Sequence, residues 1–174
     1  MATTQGQTTL GKEVAVHDIF QKTLDKTGHW LKDIKNECNL ADIHQAYTLL
    51  RAVLFTIRDR APMMDTIHFA AQLPMLVRGF FFEGWVPYDT PDKDIKTKQN
   101  FFDTVTLHVG NRPGPLTEDI ERKTMGVLKV INKYVTSAEM KKLENVMPHN
   151  IKELFSPQAQ APTLGNADSP HGSS

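Results

Sequence analysis

The chain has 174 residues, 40% of them apolar and 23% charged, and its 20 basic and 20 acidic side chains cancel to a formal net charge of zero. This composition is that of a globular protein and excludes the disordered and fibrous classes. A neutral chain has no net attraction to phosphate backbones or anionic lipid, so neither nucleic acid nor a membrane is expected as a partner.

Both ends of the sequence are predicted to lie outside the fold, as disordered tails over residues 1–11 and 156–174. The first has no basic segment followed by an apolar run, so it predicts neither a signal peptide nor a membrane anchor. The second is rich in Pro, Gly, Ser and Ala, the composition of a solvated segment. We therefore expect one domain over residues 12–155 and, with a single cysteine that cannot form an intramolecular disulfide, a cytoplasmic protein.

The opening part of this domain is predicted to form two successive helices. The first apolar pattern starts near Glu13 and is interrupted at Gly28, because glycine has a low helix propensity. The second pattern has the three-to-four spacing of an amphipathic helix. The apolar residues of the first helix are Val14, Ile19, Phe20 and Leu24, and those of the second are Trp30, Leu31, Ile34 and Cys38.

A longer helix is predicted over residues 41–61, where the apolar positions form one stripe over about five turns. Pro62 ends it, because a proline ring clashes with the preceding helical turn. Pro62 and Pro74 then each open a shorter helix, the second of which reaches about Phe82. These segments complete a first half of the domain, about residues 12–88.

A second half, about residues 94–155, follows the same order of elements. It contains an amphipathic stretch that ends at His108, a loop rich in Gly and Pro, a long helix over residues 117–134 and two short helices. A proline again separates the short helices. The order of long helix, short helix, proline and short helix is therefore the same in both halves.

The apolar pattern of the first half recurs in the second at a constant displacement along the chain, which pairs Ile57 with Ile131 and Pro74 with Pro148. The apolar positions match while the polar positions differ, so the two halves share packing geometry and not a chemical site. One half cannot enclose its own apolar stripe. The predicted fold class is therefore all-α, a helical bundle of about eight helices built from two tandem, structurally related halves.

The sequence shows no pattern for a catalytic, cofactor or metal site. Its seven histidines are scattered, with no pair at helical spacing and no cysteine cluster beside them. It contains neither a Gly-x-Ser-x-Gly turn nor a glycine-rich loop that ends in Lys-Ser/Thr. We predict no catalytic residue, no metal and no cofactor.

Arg58 and Arg78 are candidate binding residues in the first half, because guanidinium groups bind carboxylates and phosphates through two hydrogen bonds. A structural interpretation is favoured over an anion site. Asp59, Asp65 and Glu83 are close enough in sequence to pair with these arginines on the helix surface.

Aromatic residues in the stretch QLPMLVRGFFFEGW, residues 72–85, are further candidates. Phe80 and Phe81 fall on one side of a helix and have apolar counterparts in the second half, so they are predicted to lie in the core. Phe82 and Trp85 have no such counterparts. They are covered either by the N-terminal helix, through Val14 or Phe20, or by a second subunit or an apolar ligand.

Three stretches carry a family resemblance: WLKDI, AYTLLRAVLFTIRDRAP and AQLPMLVRGFFFEGW. Through the Arg-Asp-Arg helix end, the Gln-Leu-Pro step and the aromatic residues before Gly-Trp, the chain resembles the bacterial domain-of-unknown-function family 2267. The resemblance covers residues 14–155 and implies an all-helical, soluble bacterial domain with a duplicated half. It implies no catalytic residue.

Two functions follow as hypotheses. The first is a non-catalytic module that binds a protein partner or forms a homo-oligomer, with Arg58, Arg78, Phe82, Glu83 and Trp85 as the candidate binding residues. The second is a small-molecule binding protein or enzyme for an anionic or apolar ligand, with its site between the two halves. Nucleic-acid binding ranks third, because the chain is neutral.

Overall fold

The structure is a computed structural model that describes residues 5–110, 114–157 and 159, with side chains from Glu13 onward. Most of the predicted C-terminal tail, residues 158 and 160–174, lies outside the described residues. So do residues 1–4 of the predicted N-terminal tail and residues 111–113 of the loop between the halves.

The described residues form eight α-helices, two short 3-10 turns and no strand, which confirms the all-α fold class predicted from the apolar periodicity. None of the helices in this part of the chain has an apolar run long enough to cross a lipid bilayer. The helices are α1 (Gln5–Glu37), α2 (Ile43–Arg60), α3 (Met63–Ala70), α4 (Met75–Phe81), α5 (Lys98–Val109), α6 (Ile120–Tyr134), α7 (Ser137–Val146) and α8 (His149–Lys152), and the 3-10 turns are Pro87–Asp89 and Glu153–Phe155.

Helix α1 differs from the prediction at both of its expected limits. It begins at Gln5, before the predicted start near Glu13, and it continues through Gly28, where a break was predicted. Glycine disfavours a helix by only about 1 kcal/mol relative to alanine. Burial of Trp30 and Ile34 in the next two turns exceeds that cost, so one long helix replaces the two that were predicted.

The predicted helix starts are set by local chemistry. Pro62, Pro74 and Pro148 each occupy the N-cap position of the helix that follows, with extended backbone angles. Other starts are capped by side chains that accept a backbone N–H, such as Asp42 from Gln45 at 2.8 Å. These signals lie within a few residues of the helix ends, which is why the sequence predicts them well.

Helix α2 runs through the middle of the domain. It packs against α1, α3, α4, α5 and α6, and every residue from Ala52 to Arg58 is buried. A single apolar stripe was predicted here, but the second half of α2 is buried on all sides, as is typical of a central helix. The two halves of the chain therefore share one core, in which α2 packs against α5 and α6 while α1 packs against α6.

The helix limits in the two halves follow the same constant displacement that the apolar pattern shows. Helices α2 and α6 end at Arg60 and Tyr134, and α3 and α7 begin at Met63 and Ser137. Helix α4, residues 75–81, corresponds to α8 together with its 3-10 turn, residues 149–155.

Candidate functional site

Arg58 lies inside the domain and is only 5% exposed. Its Nη1 atom donates hydrogen bonds to the carbonyl oxygens of Phe81 and Glu83, at 2.7 and 2.8 Å. The Phe81 carbonyl ends α4 and the Glu83 carbonyl lies just beyond it, where a helix leaves carbonyl groups without intrahelical partners and where a positive charge is favourable. Arg58 therefore joins α2 to the end of α4, and its Nη1 is not free to bind a ligand.

Phe55 lies between two guanidinium groups, which the sequence analysis did not identify. The Arg58 guanidinium carbon is 3.8 Å from the centre of the Phe55 ring, and that of Arg51 is 4.8 Å from it. Asp59 accepts a hydrogen bond from Arg58 Nε at 3.2 Å, and its other oxygen lies 2.9 Å from His108 Nε2. The spacing of Arg51, Phe55 and Arg58 places them on one helix face, and this spacing was the signal in the sequence for their contact. The contact of His108 with Asp59 depends instead on the packing of α5 on α2.

Phe82 and Trp85 are half-buried and pack mainly on their own neighbours. The Phe82 ring centre is 5.2 Å from that of Phe81 and 5.4 Å from that of Trp85. The N-terminal helix does not cover them through Val14 or Phe20, because both of these side chains remain 56% exposed. Val14 and Phe20 of the N-terminal helix are thus excluded as the residues that cover Phe82 and Trp85. The two rings lie at the edge of the core.

The remaining candidate residues lie on the surface. Glu83 is exposed and its carboxylate accepts a hydrogen bond from Arg51 Nη2 at 3.0 Å, so the ion-pair partner of this carboxylate is Arg51 rather than Arg58 or Arg78. Arg78 is exposed and forms no ion pair with any described residue. The structure therefore places Arg58, Glu83 and the two aromatic rings around the end of α4 and leaves Arg78 outside this group.

Helix α1 carries an exposed apolar face that the sequence analysis did not single out as a site. All residues from Glu13 to Lys22 are exposed, and this segment is called the arm. Val16 is in phase with the buried Thr23 and Trp30, at successive intervals of seven residues, so the arm continues the buried face of α1. The apolar residues on this face, called the arm stripe, are Val16, Ile19 and Phe20 together with Leu24 at the root of the arm, and they are 50–56% exposed.

Further exposed apolar side chains lie on α3 and α4, and the connection between these helices adjoins α1 near the root of the arm. Leu73 and Pro74, which directly precede α4, line a hollow of about 470 Å³ together with Lys26, His29 and Trp30 of α1. Tyr134 of α6 completes this hollow and stacks on Trp30 with ring centres 5.0 Å apart. The exposed apolar residues here, called the methionine patch, are Met63, Met64, Ile67, Met75 and Leu76, and they are 41–54% exposed.

A groove of about 780 Å³ lies between α6, α7 and the last 3-10 turn, within the second half of the chain. Its lysines are already paired. Lys129 donates to Glu37 at 2.7 Å, and Lys141 donates to Glu144 at 2.9 Å. Lys133 likewise donates to Asp33, so the groove presents little free positive charge for an anionic ligand.

Asp33 on α1 and Cys38, which directly follows this helix, have pKa values that are perturbed by packing rather than by a catalytic arrangement. Hydrogen bonds from Lys133 and Tyr134 hold the pKa of the Asp33 carboxyl below its ordinary value. Burial raises the pKa of the Cys38 thiol to about 11, so the thiol is protonated at neutral pH and is a poor nucleophile. Within the described ranges, no three His, Cys, Asp or Glu residues lie close enough together to hold a metal ion.

The model of a family of uncharacterised conserved proteins, DUF2267, matches residues 27–154. No curated protein matches the chain. The matched segment begins inside α1, close to the place where the exposed arm gives way to the buried part of the helix. The family resemblance predicted from the Arg-Asp-Arg, Gln-Leu-Pro and Gly-Trp motifs is confirmed, and the chain belongs to the DUF2267 family.

Proposed function

We propose that this chain is a non-catalytic interaction module that self-associates through the arm stripe. The observation that carries the proposal is that four large apolar side chains on one helix face are 50–56% exposed. Full burial of one such side chain stabilises a protein by about 1.5–3 kcal/mol, so this face gains free energy if a partner covers it.

The arm is not needed to close the core of the domain. The family match starts at residue 27, after the arm, and residues 13–22 contact no part of the domain closely enough to be buried. The arm is thus an extension of the family domain, and its apolar face supports a role outside the core.

A second copy of the chain is the partner that this surface favours. The arm carries charges of both signs, such as Asp18 and Lys22, so it has no charge pattern that would select a strongly acidic or basic partner. An elongated apolar face on a helix is suited to a helical surface. A twofold dimer places the same helical surface on both partners, and this is the commonest symmetry of soluble oligomers.

Sedimentation velocity on wild type, Phe20→Asp and Val14→Asp tests the proposal. Val14 is a matched control, because it is as exposed as Phe20 but lies on the other side of the arm. We expect a dimer for wild type and Val14→Asp and a monomer for Phe20→Asp. A wild type that remains monomeric at all accessible concentrations would contradict self-association.

A ligand site between the two halves is a second candidate function, supported by the hollow at the root of the arm. Its volume of about 470 Å³ is in the range of small-molecule sites, and Trp30 and Tyr134 bring an apolar wall from each half. The proposed polar groups Arg58, Arg78 and Glu83 do not line it; Lys26 and His29 do. In a thermal-shift screen, aromatic carboxylates should raise the melting temperature of wild type and not that of Trp30→Ala. A screen without hits would argue against this function.

We also propose that residues 12–155 form a single domain of two duplicated halves in a bacterial, cytoplasmic protein. One hydrogen bond supports the duplication beyond the matching helix limits. Asn132 Nδ2 donates to the Phe155 carbonyl at 3.3 Å, and the constant displacement places these two residues on Arg58 and Phe81, which form the corresponding bond. Each half thus ties its long helix to the end of its last short helix at the same place.

A further inference from the structure

Building on the proposed self-association, we infer that the arm stripe of each copy packs on the methionine patch of the other copy. The two arms are thereby exchanged around a twofold axis. This dimer contains two contacts between an arm stripe and a methionine patch, and it requires no contact between the two arms.

The position of the patch relative to the arm root supports this arrangement. Leu73 and Pro74, just before the patch residues of α4, line the same hollow as Lys26, His29 and Trp30 of α1. A twofold axis close to this root places each arm over the partner's domain. Met75 and Leu76 of the methionine patch directly follow Pro74, and α4 packs against α1, so this part of the patch lies near the root of the arm.

The areas of the two surfaces match. With roughly 150–200 Å² for a fully exposed large apolar side chain, the arm stripe and the methionine patch each present about 400 Å². Pairing of one stripe with the other stripe would bury about 800 Å² in total, which is below the range of specific interfaces. Two arm-on-patch contacts bury about 1,600 Å², the standard size of a stable interface, and leave neither apolar surface exposed.

The chemistry of the patch suits a helix as its occupant. Three of its five residues are methionines, whose unbranched and flexible side chains adapt to the irregular surface of a helix. One pair of charges at the two surfaces is complementary as well. Glu13 lies on the same helix face as Phe20, seven residues before it, and Arg78 follows the patch residues of α4; neither has an ion-pair partner among the described residues.

Complementation between defective variants tests the exchange. Phe20→Asp removes the arm stripe and Met64→Asp removes the patch, and each variant alone is expected to be monomeric in sedimentation velocity. An equimolar mixture retains one intact arm and one intact patch in the heterodimer. We expect the mixture to associate about tenfold more tightly than either variant alone, while a mixture of Phe20→Asp with Ile19→Asp, both defective in the arm, should not associate.

Several outcomes would overturn the exchange, and they separate it from the proposed function. If Met64→Asp and Met75→Asp remain dimeric while Phe20→Asp is monomeric, the arms pair with each other; self-association stands and the exchange is wrong. A mixture that shows no gain over its components also contradicts the exchange. A monomeric wild type contradicts both. Far-ultraviolet circular dichroism and thermal unfolding of each variant show that loss of association is not loss of folding, because Met64 and Met75 are both exposed in the domain.

Discussion

Substitution of Gly126 by alanine probes a close contact between α6 and residues 37–38 at the end of α1. A Cβ atom at this position would lie 2.7 Å from the Cys38 Sγ atom and 3.3 Å from Glu37 Cγ. The sulfur has little room to move, because Cys38 is fully buried and its Sγ lies 3.4 Å from the Lys123 carbonyl oxygen. The new methyl group therefore meets a short contact that only a shift of a helix can relieve.

Two opposing effects determine the expected magnitude. Overpacking of a well-packed core costs about 1–3 kcal/mol. Replacement of glycine by alanine inside a helix gains about 1 kcal/mol. The difference leaves a net destabilisation, and we expect Gly126→Ala to lower the free energy of unfolding by up to about 2 kcal/mol.

Gly28→Ala is the matched control, because it also lies inside a helix but a Cβ atom there meets nothing within 4 Å. It should raise the free energy of unfolding by about 0.5–1 kcal/mol. Urea unfolding of both variants, with Cys38→Ala and the double variant Cys38→Ala/Gly126→Ala, completes a double-mutant cycle. Removal of the sulfur makes space for the added methyl group, so the double variant should be more stable than the sum of the single effects predicts.

The reasoning would be refuted by a Gly126→Ala variant that is at least as stable as Gly28→Ala. It would also be refuted if Gly126→Ala and Cys38→Ala were simply additive. Either result would mean that the added methyl group does not press on the Cys38 sulfur.

Three further predictions concern buried and paired charges. Arg58→Ala should lower the free energy of unfolding by about 2–4 kcal/mol in urea unfolding, because two carbonyl groups lose a buried charged donor, whereas Arg78→Ala at an exposed position should change it by less than about 0.5 kcal/mol. The pKa of Cys38 in the folded state, about 11, exceeds its ordinary value of 9.0. The contribution of the protonated thiol to stability is therefore complete below pH 9.0 and is lost as the pH rises through about 11. In a series of unfolding measurements at alkaline pH, Cys38→Ala should lose less of its free energy of unfolding than wild type. The pKa of Asp33 is lowered, so its contribution is present above its ordinary value of 3.8 and is lost as the pH falls below that value; Asp33→Asn should flatten the acid side of the same series.

Each of these predictions has a contradicting result. Equal effects of the two arginine substitutions would show that Arg58 does not hold the end of α4. An alkaline slope that is unchanged in Cys38→Ala would assign the loss to other groups, and an unchanged acid slope in Asp33→Asn would show that its hydrogen bonds to Lys133 and Tyr134 do not contribute to stability.

The candidate binding residues show what the sequence can and cannot predict about contacts. The sequence marks Arg58 as a cation that binds an anion or pairs with a neighbouring acid, and it does contact Asp59. Its strongest contacts are with the carbonyls of Phe81 and Glu83, which are distant in sequence. No side-chain pattern marks a backbone carbonyl as a partner, because every residue has one and only the fold decides which of them lack a helical partner.

The sequence by itself determined most elements of this protein: the helices that follow α1, the prolines that begin three of them, and the constant displacement that relates the two halves. These features depend on local propensity and periodicity, which act within a few residues. Only the tertiary structure decided which apolar faces are covered. Val16 and Trp30 belong to the same apolar face of α1, yet one is half exposed and the other is buried. Periodicity shows which side of a helix is apolar, but burial depends on whether another helix lies beside it, and that is set by the packing of the whole chain.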